Sequence, residues 1–275
     1  MSDKRYLAVR LPMYDWSEVR FETRQLEAAL QAEIIDALAL DPQAVVPWPE
    51  AKDLVEGWTS PDLLLAQTCG YPLTHALQGK VRLVGAPHYA AKGCDGPRYC
   101  SQIVVRRDSD FRQLEDLRGA VATYNGDDSQ SGMNAFRRSL ATVAKHNSFF
   151  SKVVVSGGHL KSMQAVAEGT ADVASIDAVC WHLACNELPD LSSKLRVIEE
   201  TMSAPGLPFI TSTRMTKEEA NLIARAVDRV LGMPETQKSR ERLGIRGFSK
   251  LSDQAYKEIL LMEQEAFDLG YPTLT

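Results

Sequence analysis

Ser129, Gln130, Ser131 and Gly132 follow the polar turn Asn125-Gly-Asp-Asp128 and precede Met133-Asn-Ala-Phe-Arg137, a stretch of helical character. A helix start leaves backbone N–H groups unpaired and carries partial positive charge, so it can hold an anion without a cationic side chain. Ser129 and Ser131 add hydroxyl donors, and Gly132 lets an oxyanion approach the backbone. The same residue types are also ordinary N-caps, so a cap and an anion site both fit. His159, after Gly157 and Gly158, opens a second helical pattern and can donate a hydrogen bond or carry charge. Asp177 ends a strand pattern, where it can accept a hydrogen bond or cap the next helix.

Ser131, His159 and Asp177 also include the types of a nucleophile, a base and an orienting acid. Ser131 does not stand in Gly-x-Ser-x-Gly, however, and order along the chain does not establish contact. Neither Gly-x-x-x-x-Gly-Lys-[Ser/Thr] nor Gly-x-Gly-x-x-Gly occurs, and nothing calls for a cofactor. Cys180-x-His182-x-x-Cys185 is not a recognised zinc-ligand spacing, so no metal site is expected. Asp127 and Asp128 directly precede Ser129 and would repel a dianion unless they point away, which favours a monoanion or a ligand bearing an amine.

These residues need elements to position them, and the pattern supplies alternating strands and helices. Strands are expected at Tyr6–Leu11, Val81–Ala86, Ser101–Arg107, Gly119–Thr123, Lys152–Val155, Val173–Ile176, Leu195–Ile198 and Phe209–Thr213. Helices are expected at Ser17–Leu40, Tyr71–Leu77, Phe111–Leu117, after Ser129, and at His159–Gly169, Val179–Asn186, Lys217–Leu231 and Asp253–Leu269. Such alternation argues an α/β fold with mainly parallel sheets flanked by helices. Tyr14, Tyr71, Ser129–Gly132, His159 and Asp177 then fall just beyond strand ends, where α/β ligand sites form.

The chain has 275 residues, enough for one large domain or two lobes. Its 44% hydrophobic and 24% charged residues are ordinary for a globular protein. A net charge of −5 without a run of Lys or Arg disfavours a nucleic-acid partner. Met1–Arg10 carries charges and no apolar segment of signal-peptide type, so as written the chain is expected in the cytoplasm, or in the periplasm if a leader has been removed. Five cysteines leave at least one thiol; Cys94 and Cys100 flank a Gly/Pro turn and could pair under oxidising conditions.

The block Ser156-Gly-Gly-His-Leu-Lys-Ser-Met-Gln-Ala-Val-Ala-Glu-Gly-Thr-Ala-Asp-Val-Ala-Ser-Ile-Asp177 resembles the phosphate/phosphonate-type substrate-binding proteins of ABC transporters. Leu114–Gly119, the Ser-x-Ser-Gly element, Tyr99–Arg106, Gln67–Pro72 and Ser203–Phe209 stand in that family's order and spacing. The resemblance implies a two-lobed type II periplasmic-binding-protein fold, with 1–98 and 207–275 in one lobe, 99–206 in the other, and two crossover strands. It implies a ligand clamped between lobes and returned unchanged: a small anion or zwitterion, phosphonate-like. Ser129, Gln130, Ser131, the Gly132 backbone and His159 would grip the head group, and Tyr99 would add a phenolic donor. Tyr14 and Tyr71 would line the opposite wall, and Asp177 would accept from a protonated oxygen or an amine. A monomer working with a transporter's membrane component is the expected state. The alternatives are a cofactor-biosynthesis-type enzyme on the same fold, or a cytoplasmic metabolite-sensing or partner module.

Overall fold

The computed structural model describes residues 5–48, 54–144 and 148–275. They divide into two units: Met1–Ala90 with Asp95–Pro97 and Gly206–Ala255, and Ala91–Cys94 with Arg98–Pro205 and Tyr256–Thr275.

The first unit carries a four-stranded sheet in the order Ile245–Ser249, Val81–Tyr89, Phe209–Ser212, Ala66–Gln67. Its neighbouring pairs are all antiparallel. Parallel neighbours come from a strand–helix–strand crossover, and these strands are not joined that way. Val81–Tyr89 and Phe209–Ser212 are separated in sequence by most of the second unit. Parallel pairing survives at the edge, where Tyr6–Leu7 runs beside Val45–Val46 and Arg10 bridges Ala66. The expected strand Tyr6–Leu11 is therefore only two residues of regular strand, followed by the bridge and a turn at Pro12–Tyr14. Arg20–Ala37 packs on Lys217–Val230, burying Leu26, Leu30 and Ile34 along one stripe and Ile223, Val227 and Val230 on the other helix. Thr216 and Glu219 close a capping box on the second helix, which fixes its start.

The second unit carries a five-stranded sheet in the order Leu195–Glu200, Ser101–Arg106, Val173–Asp177, Val121–Tyr124, Lys152–Val155. Only Ser101–Arg106 runs against the others, so the mainly parallel character belongs to this unit. Ile103, Val105, Leu117, Ala122, Phe136, Leu140, Phe149 and Val173 form its buried core. Ala266 and Tyr271 join that core, the Phe149 N–H donates to the Thr275 carbonyl at 2.8 Å, and the Arg137 Nη1 donates to the Pro272 carbonyl at 2.7 Å. The carboxyl-terminal residues from Tyr256 onward accordingly belong to the second unit, whereas the ordered motifs place all of 207–275 in the first lobe. Their aromatic and carbonyl groups are spent on partners distant in sequence, which periodicity cannot reveal.

Val173–Asp177 and Val121–Tyr124 are parallel neighbours, with Ala174 beside Thr123. Their carboxyl ends therefore lie on the same edge of the sheet, and the turns leading to Gln130 and Ala178 start from that edge. Lys152–Val155, parallel to Val121–Tyr124, brings His159 to it as well.

Candidate anion-binding site

Ser129 is the N-cap of the helix that starts at Gln130, its Oγ accepting the Gly132 N–H at 2.9 Å. The first turn, Gln130–Asn134, is a π-turn: the Ala135 N–H reaches back to the Gln130 carbonyl and the Asn134 N–H to the Ser129 carbonyl at 3.0 Å. Such widened turns occur frequently at functional sites. Here the Ser131 carbonyl accepts two hydroxyls, from Ser101 at 3.0 Å and Ser175 at 2.7 Å. Those serines sit on adjacent antiparallel strands and bolt the turn to the sheet. Ser129, Ser131, Ser101 and Ser175 are all buried.

Ser131 Oγ lies 2.9 Å from His159 Nε2 and 3.5 Å from Ser129 Oγ. The structure thus brings together three side chains that sequence places only in order. His159 as a residue is half-buried, yet its Nδ1 is enclosed and has no partner among the described residues. Burial alone pushes the imidazole down to about 4 from its ordinary 6.5, so the ring is neutral at pH 7. The Ser131–His159 contact is a hydrogen bond between neutral groups. Without an anion beside it, His159 therefore carries no charge at pH 7.

A Cβ at Gly132 would stand 1.9 Å from Asn125 Oδ1 and 3.3 Å from His159 Cε1. Gly132 is therefore required by close approach, and Asn125 and His159 lie against the same spot. The Asn125 Oδ1 is enclosed and unpartnered among the described residues. Asn125, Ser101 and Ser175 are not singled out by the sequence pattern. Ser175 has a signal there, because it stands two residues before Asp177 on a strand and shares its face. Ser101 has none, since only the register opposite Asp177 reveals it.

Other candidates have different tasks. Gln130 is buried with its carboxamide engaged away from the pair: Nε2 donates to Met262 Sδ at 3.2 Å and Oε1 accepts from Asn134 Nδ2 at 2.8 Å. Its side chain ties the helix to the carboxyl-terminal segment. Asp177 Oδ1 accepts the N–H groups of Val179 at 2.7 Å and Cys180 at 3.3 Å, so it caps the next helix. With His159 Nδ1 unpartnered, Ser131, His159 and Asp177 do not form a relay of nucleophile, base and orienter. Tyr99 is buried on a short strand opposite Ala204. Asp127 and Asp128 are exposed, and the Tyr124 hydroxyl donates to Asp127. Burial and the adjacent Asp127 push the Tyr124 hydroxyl up to about 12. Cys94 and Cys100 are unbridged thiols.

Tyr14 and Tyr71 belong to the first unit. Tyr14 is buried edge-on to Tyr89, ring centroids 5.3 Å apart, and borders a cavity of about 20 Å³ with Gln67, Thr23 and Ile245. Gln67 Nε2 donates to the Tyr89 hydroxyl at 3.1 Å. Tyr71 stacks on His75 at 3.8 Å.

Comparison with known families gives a match over residues 44–256 to the ABC transporter, phosphonate, periplasmic substrate-binding protein family. The chain belongs to that family. This phosphonate-type binding protein therefore has solute binding as its role, as a component of an ABC transporter and not as an enzyme. The family is periplasmic, and among the described residues no helix is long and apolar enough to cross a membrane. No curated protein sequence matches the chain.

Solved structures share the fold. A binding-protein component of an ABC phosphonate transporter from Pseudomonas aeruginosa superposes with a TM-score of 0.76 at 17% identity, covering 96% of this chain and 88% of that one. PhnD1 from Prochlorococcus marinus, in complex with methylphosphonate, gives 0.72 at 15% identity over 96% and 98% of the two chains. The alkanesulfonate-binding protein SsuA from Xanthomonas axonopodis pv. citri, bound to MOPS, gives 0.61 at 15% identity over 99% and 96%. All three are type II periplasmic binding proteins, which establishes the fold expected from the ordered motifs.

Proposed function

We propose that the chain takes up a small phosphonate through its head group, using the hydroxyls of Ser129 and Ser131, the start of the helix they open, and His159. The observation that carries this reading is the partly buried Ser131–His159 hydrogen bond at that helix start, beside Asn125 and His159 atoms that have no partner among the described residues. A neutral, preorganised set of hydrogen-bonding groups can hold an anion with the help of the helix dipole. The outward position of Asp127 and Asp128 removes the reason to require an amine on the ligand. In this reading the protein works in the periplasm as a monomer and hands its ligand to a membrane component. Tyr99 and Asp177 shape the surroundings of the site, the latter through its cap.

The test is isothermal titration calorimetry with methylphosphonate near pH 6. Ser131→Ala should weaken binding by about 1–3 kcal/mol, the cost of a lost hydrogen bond to a buried anion. An unchanged dissociation constant in that variant would refute the head-group assignment. Phosphorus NMR of the released ligand should show it unaltered.

A further inference from the structure

We infer that this site selects a singly protonated, monoanionic phosphonate head group over the fully ionised dianion and over a sulfonate, with Asn125 and the Ser131–His159 pair making the selection. The inference rests on the head-group reading above and names the ionisation state of the ligand.

The argument is a count of protons. A neutral imidazole has one N–H and one bare nitrogen. If His159 Nε2–H donates to Ser131 Oγ, the serine proton is shared between the ligand and Ser129 Oγ at 3.5 Å, and Nδ1 is a bare acceptor. If Ser131 donates to Nε2 instead, the enclosed Nδ1 carries the N–H and the serine oxygen keeps its lone pairs. In both arrangements the pair offers one donor and retains unused acceptor capacity. Asn125 Oδ1, against the same spot on Gly132 as the His159 ring, adds a second unpartnered acceptor. Enclosed acceptors of this kind are ordinarily satisfied in native proteins, and an outside proton is what these lack.

A phosphonate monoanion brings that proton on its P–OH together with two oxygens that accept. A dianion has only acceptors and would set oxygen lone pairs against Asn125. A sulfonate carries the same single charge as the monoanion but no proton at any working pH. Sites built to bond a ligand hydroxyl reject analogues that lack it, because their own polar groups are left unpaired.

Among the described residues, no ionised side chain bonds to the Ser131–His159 pair. Burial is the sole cause acting on His159, so neighbouring ionised groups do not hold it charged. Lys161, on its own helix, is exposed; Asp127 and Asp128, in the turn after Val121–Tyr124, are exposed; Asp177, at the end of Val173–Asp177, is engaged as a cap.

The experiment measures dissociation constants of methylphosphonate and methanesulfonate between about pH 5.5 and pH 9, for the native chain, Asn125→Ala and Ser131→Ala. Methylphosphonate should bind best at the acid end and weaken by about tenfold per pH unit above its second ionisation. Methanesulfonate should bind roughly 10- to 100-fold more weakly at about pH 5.5, without that slope. Asn125→Ala, shown to be folded by its melting temperature, should narrow the gap between the two ligands by about tenfold. Methylphosphonate affinity that is flat or rising with pH, or an undiminished gap in Asn125→Ala, overturns the inference. If such flat binding is still weakened by Ser131→Ala, the head-group reading stands and only the selection falls. Absence of methylphosphonate binding at every pH overturns both.

Discussion

Lowering the pH should charge His159 against its surroundings, and the structure sets the size of that effect. Burial takes the imidazole from 6.5 to about 4, with no compensating anion. At 1.36 kcal/mol per pH unit, that drop corresponds to roughly 3 kcal/mol of cost for protonating the ring in place. The unfolded chain binds the proton near 6.5 and the folded chain only near 4. Between these values the unfolded state therefore holds more protons, and stability falls as the pH falls. The contribution is fully present above about 6.5 and is lost progressively toward 4. His88 is shifted in the same direction by burial, whereas Asp15 and Glu27 are raised by burial and oppose it, so the comparison must isolate one residue. His159→Gln keeps a hydrogen-bonding carboxamide near Ser131 and removes the titration. Melting curves of the native chain and this variant from pH 4.5 to pH 7.5 should diverge at the acid end, where the native chain loses several degrees more, relative to its own neutral value, than the variant does. Imidazole NMR on the ligand-free protein should place His159 well below the ordinary range. A resonance titrating at 6.5 or above, with parallel melting profiles, would refute the reasoning.

Other expectations follow from single contacts. Gly132→Ala puts a methyl 1.9 Å from Asn125 Oδ1 and 3.3 Å from His159 Cε1, so methylphosphonate affinity measured by calorimetry should fall about tenfold or more as both are displaced. Asp177→Ala removes an acceptor shared by two N–H groups and should cost about 1 kcal/mol in urea unfolding, with Asp177→Asn recovering most of it. Affinity unchanged in Asp177→Asn would fit its cap role, and a large loss there would make it a ligand contact. Burial, with neighbouring negative groups, pushes the Cys94 thiol up to about 12 and the Cys100 thiol to about 11. Cys185 is the exposed cysteine, so iodoacetamide at pH 7.5 should label it first and the others mainly after unfolding, as read by peptide mass mapping.

Much of the site is legible in the sequence because its residues are local. Ser129, Ser131 and Gly132 lie within one turn, and an N-cap followed by a glycine is a short-range signature. The helix at His159–Ala167 and the strand at Val173–Asp177 also form close to where periodicity puts them. Short strands are harder to read. Ile245–Ser249 contains Arg246 and Gly247 and lies between helical stretches, so it is a strand through its pairing with Val81–Tyr89. The family resemblance sets Gln130 among the head-group residues. The π-turn instead sends its carboxamide toward Met262, more than a hundred residues away.

The sequence by itself determined the alternation of strands and helices, the hydroxyl-rich helix start and the ordered motifs that mark the family. All of these depend on backbone preference and spacing over a few residues. Tertiary structure decided which groups meet and in what protonation state. It set Ser131 against His159, enclosed the ring so that it stays neutral and drew the carboxyl terminus into the second unit. Contact and desolvation arise only when distant segments pack together, and no local pattern in the chain encodes them.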